Sequence, residues 1–145
     1  MLTTGCSTNH MASIYNSVEK ISSSTNSFNL DGANQIIDGD KFVGKVEKFE
    51  GMDTIWTYEA TEDMELEITY LLNPMKGYVK LVLISPDNSL TDVIERSDKA
   101  TFNDYATSTV QIQKGTNKLK MVGSKGCSVE FEITIPCGEF NPLGM

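Results

Sequence analysis

From about residue 42 onward, apolar and polar side chains alternate in short runs. Met64, Leu66, Ile68 and Tyr70 share one parity, while Glu65, Glu67 and Thr69 share the other. Val129, Phe131, Ile133 and Ile135 alternate in the same way with Ser128, Glu130, Glu132 and Thr134. Period two is the signature of a strand with one face buried and one wet. Tyr78 to Ile84 is apolar at most positions on both parities, which suits a central strand. Shorter strands are expected over Phe42–Phe49, Thr54–Ala60, Asp92–Glu95, Ser108–Gln113 and Lys118–Val122. Turn chemistry separates them: Glu50-Gly51, Asn73-Pro74-Met75-Lys76-Gly77, Ser85-Pro86-Asp87-Asn88, Lys114-Gly115 and Gly123-Ser124-Lys125-Gly126. About eight strands at short spacing, with no long helical pattern, predict an all-β fold. The expected architecture is an antiparallel β-sandwich, Ig-like or jelly-roll, over residues 40–137, with a tail over 138–145.

The first thirty residues read differently. Ser, Thr and Asn crowd residues 7–29. A stretch this polar buries too little surface to offset its ordering entropy, so residues 1–30 read as a tether. Ile14, Val18 and Ile21 recur within it at helical spacing, which predicts a short helix inside 12–22. That stripe is either a weak amphipathic turn or a cover for an exposed sheet face, for instance one around Val82 and Ile84. His10-Met11-Ala12-Ser13 has the look of a cloning scar.

Upstream, Leu2-Thr3-Thr4-Gly5-Cys6 resembles the end of a bacterial lipoprotein signal, in which small or apolar residues and a Gly precede a Cys. The resemblance implies lipidation of Cys6. The match departs from that pattern at Thr3, where Leu is commoner. Ile55-Trp56-Thr57-Tyr58-Glu59-Ala60 and Lys80 to Asp87 are similar to segments of small Gram-positive surface lipoproteins, in which a β-sandwich follows a polar tether. This likeness implies a module anchored on the outer face of the bacterial cytoplasmic membrane, reaching the membrane through lipid on Cys6. A cell-surface protein or a cell-wall polymer is then the partner expected.

The chain has 145 residues, one domain's worth, and a net charge of −8. Nucleic acid is a poor partner for it, because neutralising phosphates requires surplus Lys and Arg. Acids cluster from Glu47 to Glu67, eight against Lys48 alone, while Lys114, Lys118, Lys120 and Lys125 form a basic stretch. If these regions fell at opposite ends the molecule would be dipolar, and the basic hairpin could meet an anionic surface. Solvated lysines guarding an edge strand are the simpler reading.

Catalytic parts are few. The single histidine, His10, lies in the tether, so a nucleophile–base pair has no fixed base. Glu65 and Glu67 sit about 7 Å apart on one strand face, a spacing compatible with two-carboxylate hydrolysis and equally with a solvated strand. Asp38 and Asp40 are oxygen-rich loop residues open to a calcium reading, but Val43 stands where an EF-hand needs Gly. Cys127 and Cys137 flank one predicted strand. Ten extended steps cover about 33 Å, against the roughly 7 Å that a disulfide tolerates. Unless the chain folds back, they are separate apolar fillers.

The expected function is therefore non-catalytic binding, with no cofactor. A structural spacer or envelope assembly subunit, and a small carboxylate-dependent hydrolase, are the alternatives. Loop residues are the natural contact region of a sandwich. Phe102, Asn103, Asp104 and Tyr105, together with the Asp87-Asn88 turn, are the candidate ligand-binding residues. Phe102 and Tyr105 have a second reading, as a plug that closes one end of the sandwich.

Overall fold

The computed structural model describes residues 14–144. Nine strands follow a short helix, α1 (Val18–Ile21): β1 (Ser27–Asp38), β2 (Lys41–Ala60), β3 (Met64–Lys76), β4 (Tyr78–Ile84), β5 (Leu90–Ser97), β6 (Ala106–Ile112), β7 (Gly115–Gly123), β8 (Ser128–Thr134) and β9 (Glu139–Phe140). All pairings are antiparallel, and the main path runs β5-β4-β7-β2-β8-β3-β6, with β1 and β9 added to β2. The fold class is thus the antiparallel β-sandwich that the alternation predicts.

The sandwich arises because the 20-residue β2 serves both layers. Its first part, Lys41–Val46, pairs with β8, and its second, Gly51–Ala60, pairs with β7. At the changeover Phe49 N–H donates to the Cys127 carbonyl at 2.8 Å. One sheet is therefore β1, the first half of β2, β8, β3 and β6. The other is the second half of β2, β7, β4 and β5. Their free edges approach each other: Arg96 Nη1 of β5 donates to the Leu72 carbonyl of β3 at 3.1 Å, and Ser108 Oγ of β6 to the Val93 carbonyl at 3.5 Å. Between the layers lie Phe42, Trp56, Ile68, Leu72, Leu81, Leu119, Phe131 and Ile133, all at most 1% exposed. The buried Trp56 indole donates to the Cys137 carbonyl at 2.8 Å, which satisfies its only polar atom.

Several boundaries differ from expectation. Phe42–Phe49 and Thr54–Ala60 are one strand. The Asn73-Pro74-Met75-Lys76 stretch is strand, not turn; a bulge between Pro74 and Lys76 accommodates the residue that lacks an N–H. Residues 27–30, read as tether, begin β1, which the pattern missed altogether. The reason is visible at Gly32, whose φ is +64° and where a Cβ would meet the Glu47 side chain. The ladder keeps register across it, Asp31 to Lys48 and Ala33 to Val46. The parity that faces the core nevertheless changes, from Phe28 and Leu30 before it to Ala33 after it. A strand whose inward parity switches midway, and which carries Asn, Asp and Gln, shows no clean alternation. The tail is also built in: β9 pairs with Trp56 and Thr57, and Leu143 is buried.

The N-terminal segment is a strap across the second sheet's outer face. Ser17 caps α1, its Oγ accepting from Lys20 N–H at 3.2 Å. Ile14, Tyr15 and Ile21 pack on Met52, Val82, Ile84 and Val122, forming a second buried cluster, while Val18 is 62% exposed. Of the two readings of that stripe, the cover for a sheet face holds, and the face is the one containing Val82 and Ile84. Lys120 clasps the strap: 1% exposed, it donates to the carbonyls of Ser23 at 2.8 Å and Thr25 at 3.1 Å. Burial, with the Lys118 ammonium nearby, lowers its pKa from 10.5 to about 8. The acidic and basic stretches do not lie at opposite ends, because β2 pairs with β7 along Gly51–Ala60.

Two outcomes follow from the strap. Ile21→Ala should cost about 2–5 kcal/mol in urea unfolding, whereas Val18→Ala should stay within about 0.5 kcal/mol of the parent. Because the folded chain binds fewer protons at Lys120 than the unfolded chain between pH 8 and 10.5, its stability gains from rising pH across that window. The parent should therefore gain on a Lys120→Met variant as pH rises from 8 to 10.5. A constant gap between the two denaturation midpoints would contradict this.

Candidate functional site

The two outer faces are treated unequally. On the second sheet, outward apolar side chains are covered by the chain's own strap. On the first sheet Ile36, Val43 and Tyr105 stay exposed among the described residues. Register fixes a row across that face: Ile36 of β1 lies opposite Val43 of β2, Val43 opposite Glu132 of β8, and Glu132 opposite Leu71 of β3. Tyr105, one residue before β6, continues the row, since Ala106 pairs with Tyr70. Ile36 is 68% exposed and Tyr105 58%. Four inter-strand steps make the row about 19 Å long. A second row runs alongside it: Asn34, Lys45, Glu130 and Asn73, again by direct pairing. Between them lies a depression of about 450 Å³ whose lining includes Ile36, Val43, Lys45, Leu71, Glu130 and Glu132.

Tyr105 is held in place. Its hydroxyl donates to Glu132 Oε2 at 2.7 Å, and the same oxygen lies 3.5 Å from Lys41 Nζ. The hydrogen bond to the carboxylate raises the Tyr105 pKa. Leu71 stands between Tyr105 and Glu132 in the register, so the side chain crosses β3 at Leu71 to reach its acceptor. The ring lies across the sheet with much of its surface open to solvent.

The candidate loop residues separate. Phe102 is half-buried, with the Arg96 guanidinium 4.0 Å above its ring, and its N–H donates to Asn73 Oδ1 at 3.3 Å. Arg96 also lies 5.4 Å from the Tyr70 ring. Phe102 therefore packs on the rim of the sandwich, as the plug reading expects, whereas Tyr105 serves the face. Asn103 and Asp104 are exposed between them. Asp87 and Asn88 are not brought to Phe102–Tyr105. The 85–89 turn precedes β5 and residues 98–105 follow it, which places them at opposite ends of that eight-residue strand. Asp87 Oδ1 accepts from both the N–H and the hydroxyl of Ser89, at 3.0 and 2.6 Å, and these bonds lower its pKa. Asn88 takes φ +70°, so the pair acts as turn chemistry.

Other predicted sites resolve as follows. Asp38-Gly39-Asp40 is the β1–β2 hairpin turn, with Asp38 paired to Lys41. Among the described residues no three His, Cys, Asp or Glu side chains gather around a metal position. Glu65 and Glu67 are exposed on the open face of β3, and Glu65 Oε2 accepts from Gln111 Nε2 at 2.9 Å. Cys127 and Cys137 are free thiols, and burial pushes Cys127 up to about 12. Cys6 and His10 lie outside the described residues. Ile36 and Val43 went unnoticed as site residues. The signal in sequence was faint: each is apolar on the parity that carries charges elsewhere in its strand.

No family model and no curated protein matches the chain. Solved structures similar to it include a mutant of the family 29 carbohydrate-binding module CBM29-2, at 10% identity and TM-score 0.42 over 78% of this chain and 77% of that one. A CBM29-2 mutant complexed with mannohexaose aligns at 10% identity and TM-score 0.41 over 78% and 82%. An exo-β-1,3-galactanase from Phanerochaete chrysosporium with galactose aligns at 10% and 0.41, over 77% of this chain and 29% of that one.

The division between plug and platform is measurable. Phe102→Ala should lower the thermal midpoint by several degrees, since it removes a ring stacked on Arg96. Tyr105→Ala should leave the midpoint within about a degree, as expected for an exposed surface position. Equal losses would place both rings in the core.

Proposed function

We propose that this protein is a binding module, not a catalyst. Its first sheet's open face captures a linear glycan of the cell envelope, and a lipid on Cys6 holds it at the outer face of the bacterial cytoplasmic membrane. The observation that carries the binding role is the Tyr105 ring, laid across β3 and pinned through Glu132 to Lys41. A sugar ring offers a C–H face that stacks on an aromatic ring, and hydroxyls at its rim that take hydrogen bonds. Here the apolar row of Tyr105, Leu71, Val43 and Ile36 is flanked by Asn34, Lys45, Glu130 and Asn73, which suits a chain lying across the strands. Pinning the ring in advance reduces the entropy lost on capture.

An open sheet face favours binding over hydrolysis. Glu65 and Glu67 project from that surface side by side, whereas two-carboxylate hydrolysis needs acids flanking the scissile bond. The lipid anchor rests on the resemblance of Leu2-Thr3-Thr4-Gly5-Cys6 to a lipoprotein signal.

Co-sedimentation with purified peptidoglycan sacculi tests the binding role. The parent should pellet with sacculi, and Tyr105→Ala should bind at least about ten-fold more weakly with an unchanged thermal midpoint. Equal binding by both would remove the open face from the account. Mass spectrometry of the protein made with its full upstream region should find a diacylglycerol adduct on Cys6, absent from Cys6→Ser.

A further inference from the structure

A second aromatic platform lies on the opposite outer face, beyond the strap. Tyr78, at the start of β4, is 44% exposed; with Tyr105 it makes up the exposed aromatic pair among the described residues. Its backbone is tied at both ends to one residue. Tyr78 N–H donates to Ser124 Oγ at 2.8 Å, and Ser124 N–H donates to the Tyr78 carbonyl at 2.9 Å. Its ring meets the buried Tyr15 ring edge to face, with centroids 6.2 Å apart and planes at 60°. Tyr15 is fixed in turn: its hydroxyl donates to Glu95 Oε2 at 2.5 Å, and Lys80 Nζ sits 4.6 Å from its ring centroid. The two rings wall a depression of about 530 Å³ whose remaining lining includes Asn16, Glu95, Ser124 and Lys125.

We propose that this corner is a second glycan-binding site, so that the protein bridges two polymer chains, one on each outer face. The ligand class rests on the reading of the open face given above; the site itself stands on its own geometry. The rings form a corner with one exposed platform. At its rim are one carboxylate, one ammonium, an amide and a hydroxyl, a set without net charge. That balance suits a neutral polyhydroxylated ligand better than an ion, and mixed donors and acceptors match sugar hydroxyls. Lys80 already occupies a face of Tyr15, so the corner is not a cage for a cationic ligand. The strap supplies Tyr15 and Asn16, and the site is therefore complete only when residues 14–25 are docked. Two sites on opposite faces give avidity on a cross-linked polymer, because capture at one raises the effective ligand concentration at the other.

Short soluble glycan strands released from peptidoglycan, titrated calorimetrically, should bind the parent at two strands per chain. Tyr78→Ala and Tyr105→Ala should each bind one, and Tyr78→Phe, which keeps the ring, should restore two. On long strands the parent should raise turbidity by cross-linking, and Tyr78→Ala should abolish this while still co-sedimenting with sacculi. A parent stoichiometry of one, unchanged in Tyr78→Ala, would overturn the second site and leave the open-face reading standing. Absence of any strand binding by the parent would overturn both. Should Tyr78→Ala lose its thermal midpoint, amide chemical shifts of the parent decide: strand addition must move Ser124 and Lys125 as well as Tyr105, and shifts confined to Tyr105 and its neighbours would refute the second site.

Discussion

Everything in this molecule depends on one strand turning a corner. β2 begins in one layer and ends in the other, and the backbone makes room for the turn at two glycines. Gly51, at φ +107°, would place a Cβ 2.1 Å from the Ser27 carbonyl, and Gly32 on the neighbouring strand would strike Glu47. With side chains at those places, β1 could not stay paired to β2 while both change the face they turn inward. Without that change, β7 and β8 would extend one flat sheet from the same side of β2 instead of diverging into two layers. The divergence sets the inner face that carries Phe42 and Phe131 opposite the one that carries Trp56 and Leu119, all in one buried cluster.

A sandwich made this way has two outer faces, and the chain disposes of them differently. One carries Met52, Val82, Ile84 and Val122, too much apolar surface to leave wet, and is sealed by Ile14, Tyr15 and Ile21. Lys120 makes the seal specific, because its buried ammonium needs acceptors and the strap carbonyls supply them. The other face keeps a thinner apolar row between charged and amide side chains, and no strap among the described residues crosses it. A fixed, half-wet ring on each face, Tyr105 on one and Tyr78 on the other, is where the two surfaces come to resemble each other.

Most strands were legible in advance because each presents one parity to the interior for its whole length. β4 and β8 were read nearly to their ends for that reason, and β3 from Met64 to Tyr70, while its last six residues escaped because Asn73-Pro74 carries turn chemistry. β1 escaped because its inward set shifts at Gly32. The continuity of β2 escaped because Glu50-Gly51 carries the same local signal as a hairpin turn; only the partner strands decide whether such a pair reverses the chain or bends it. The candidate site was legible in part. Tyr105 stood out as an aromatic in a polar loop, but its neighbour Phe102 carried the same signal and went to the rim with Arg96. Ile36 and Val43 left only a faint signal, and it is the pairing of β1, β2 and β8 that sets them in one row with Glu132. Lys120 read as one of four surface lysines, and its burial is a consequence of what lies over it.

The sequence by itself determined the class of fold, since hydrophobic parity is a local property of the chain; it marked the N-terminal stripe but left open whether the stripe covers anything. The tertiary structure alone decided which residues meet. Register between strands set the row from Ile36 to Tyr105, the docking of residues 14–25 chose which outer face stays open, and the length of β5 put Asp87 and Tyr105 at opposite ends. The physical reason is that each strand carries its own side-chain alternation, but the alignment of one strand with another is settled by long-range contacts that no single segment encodes.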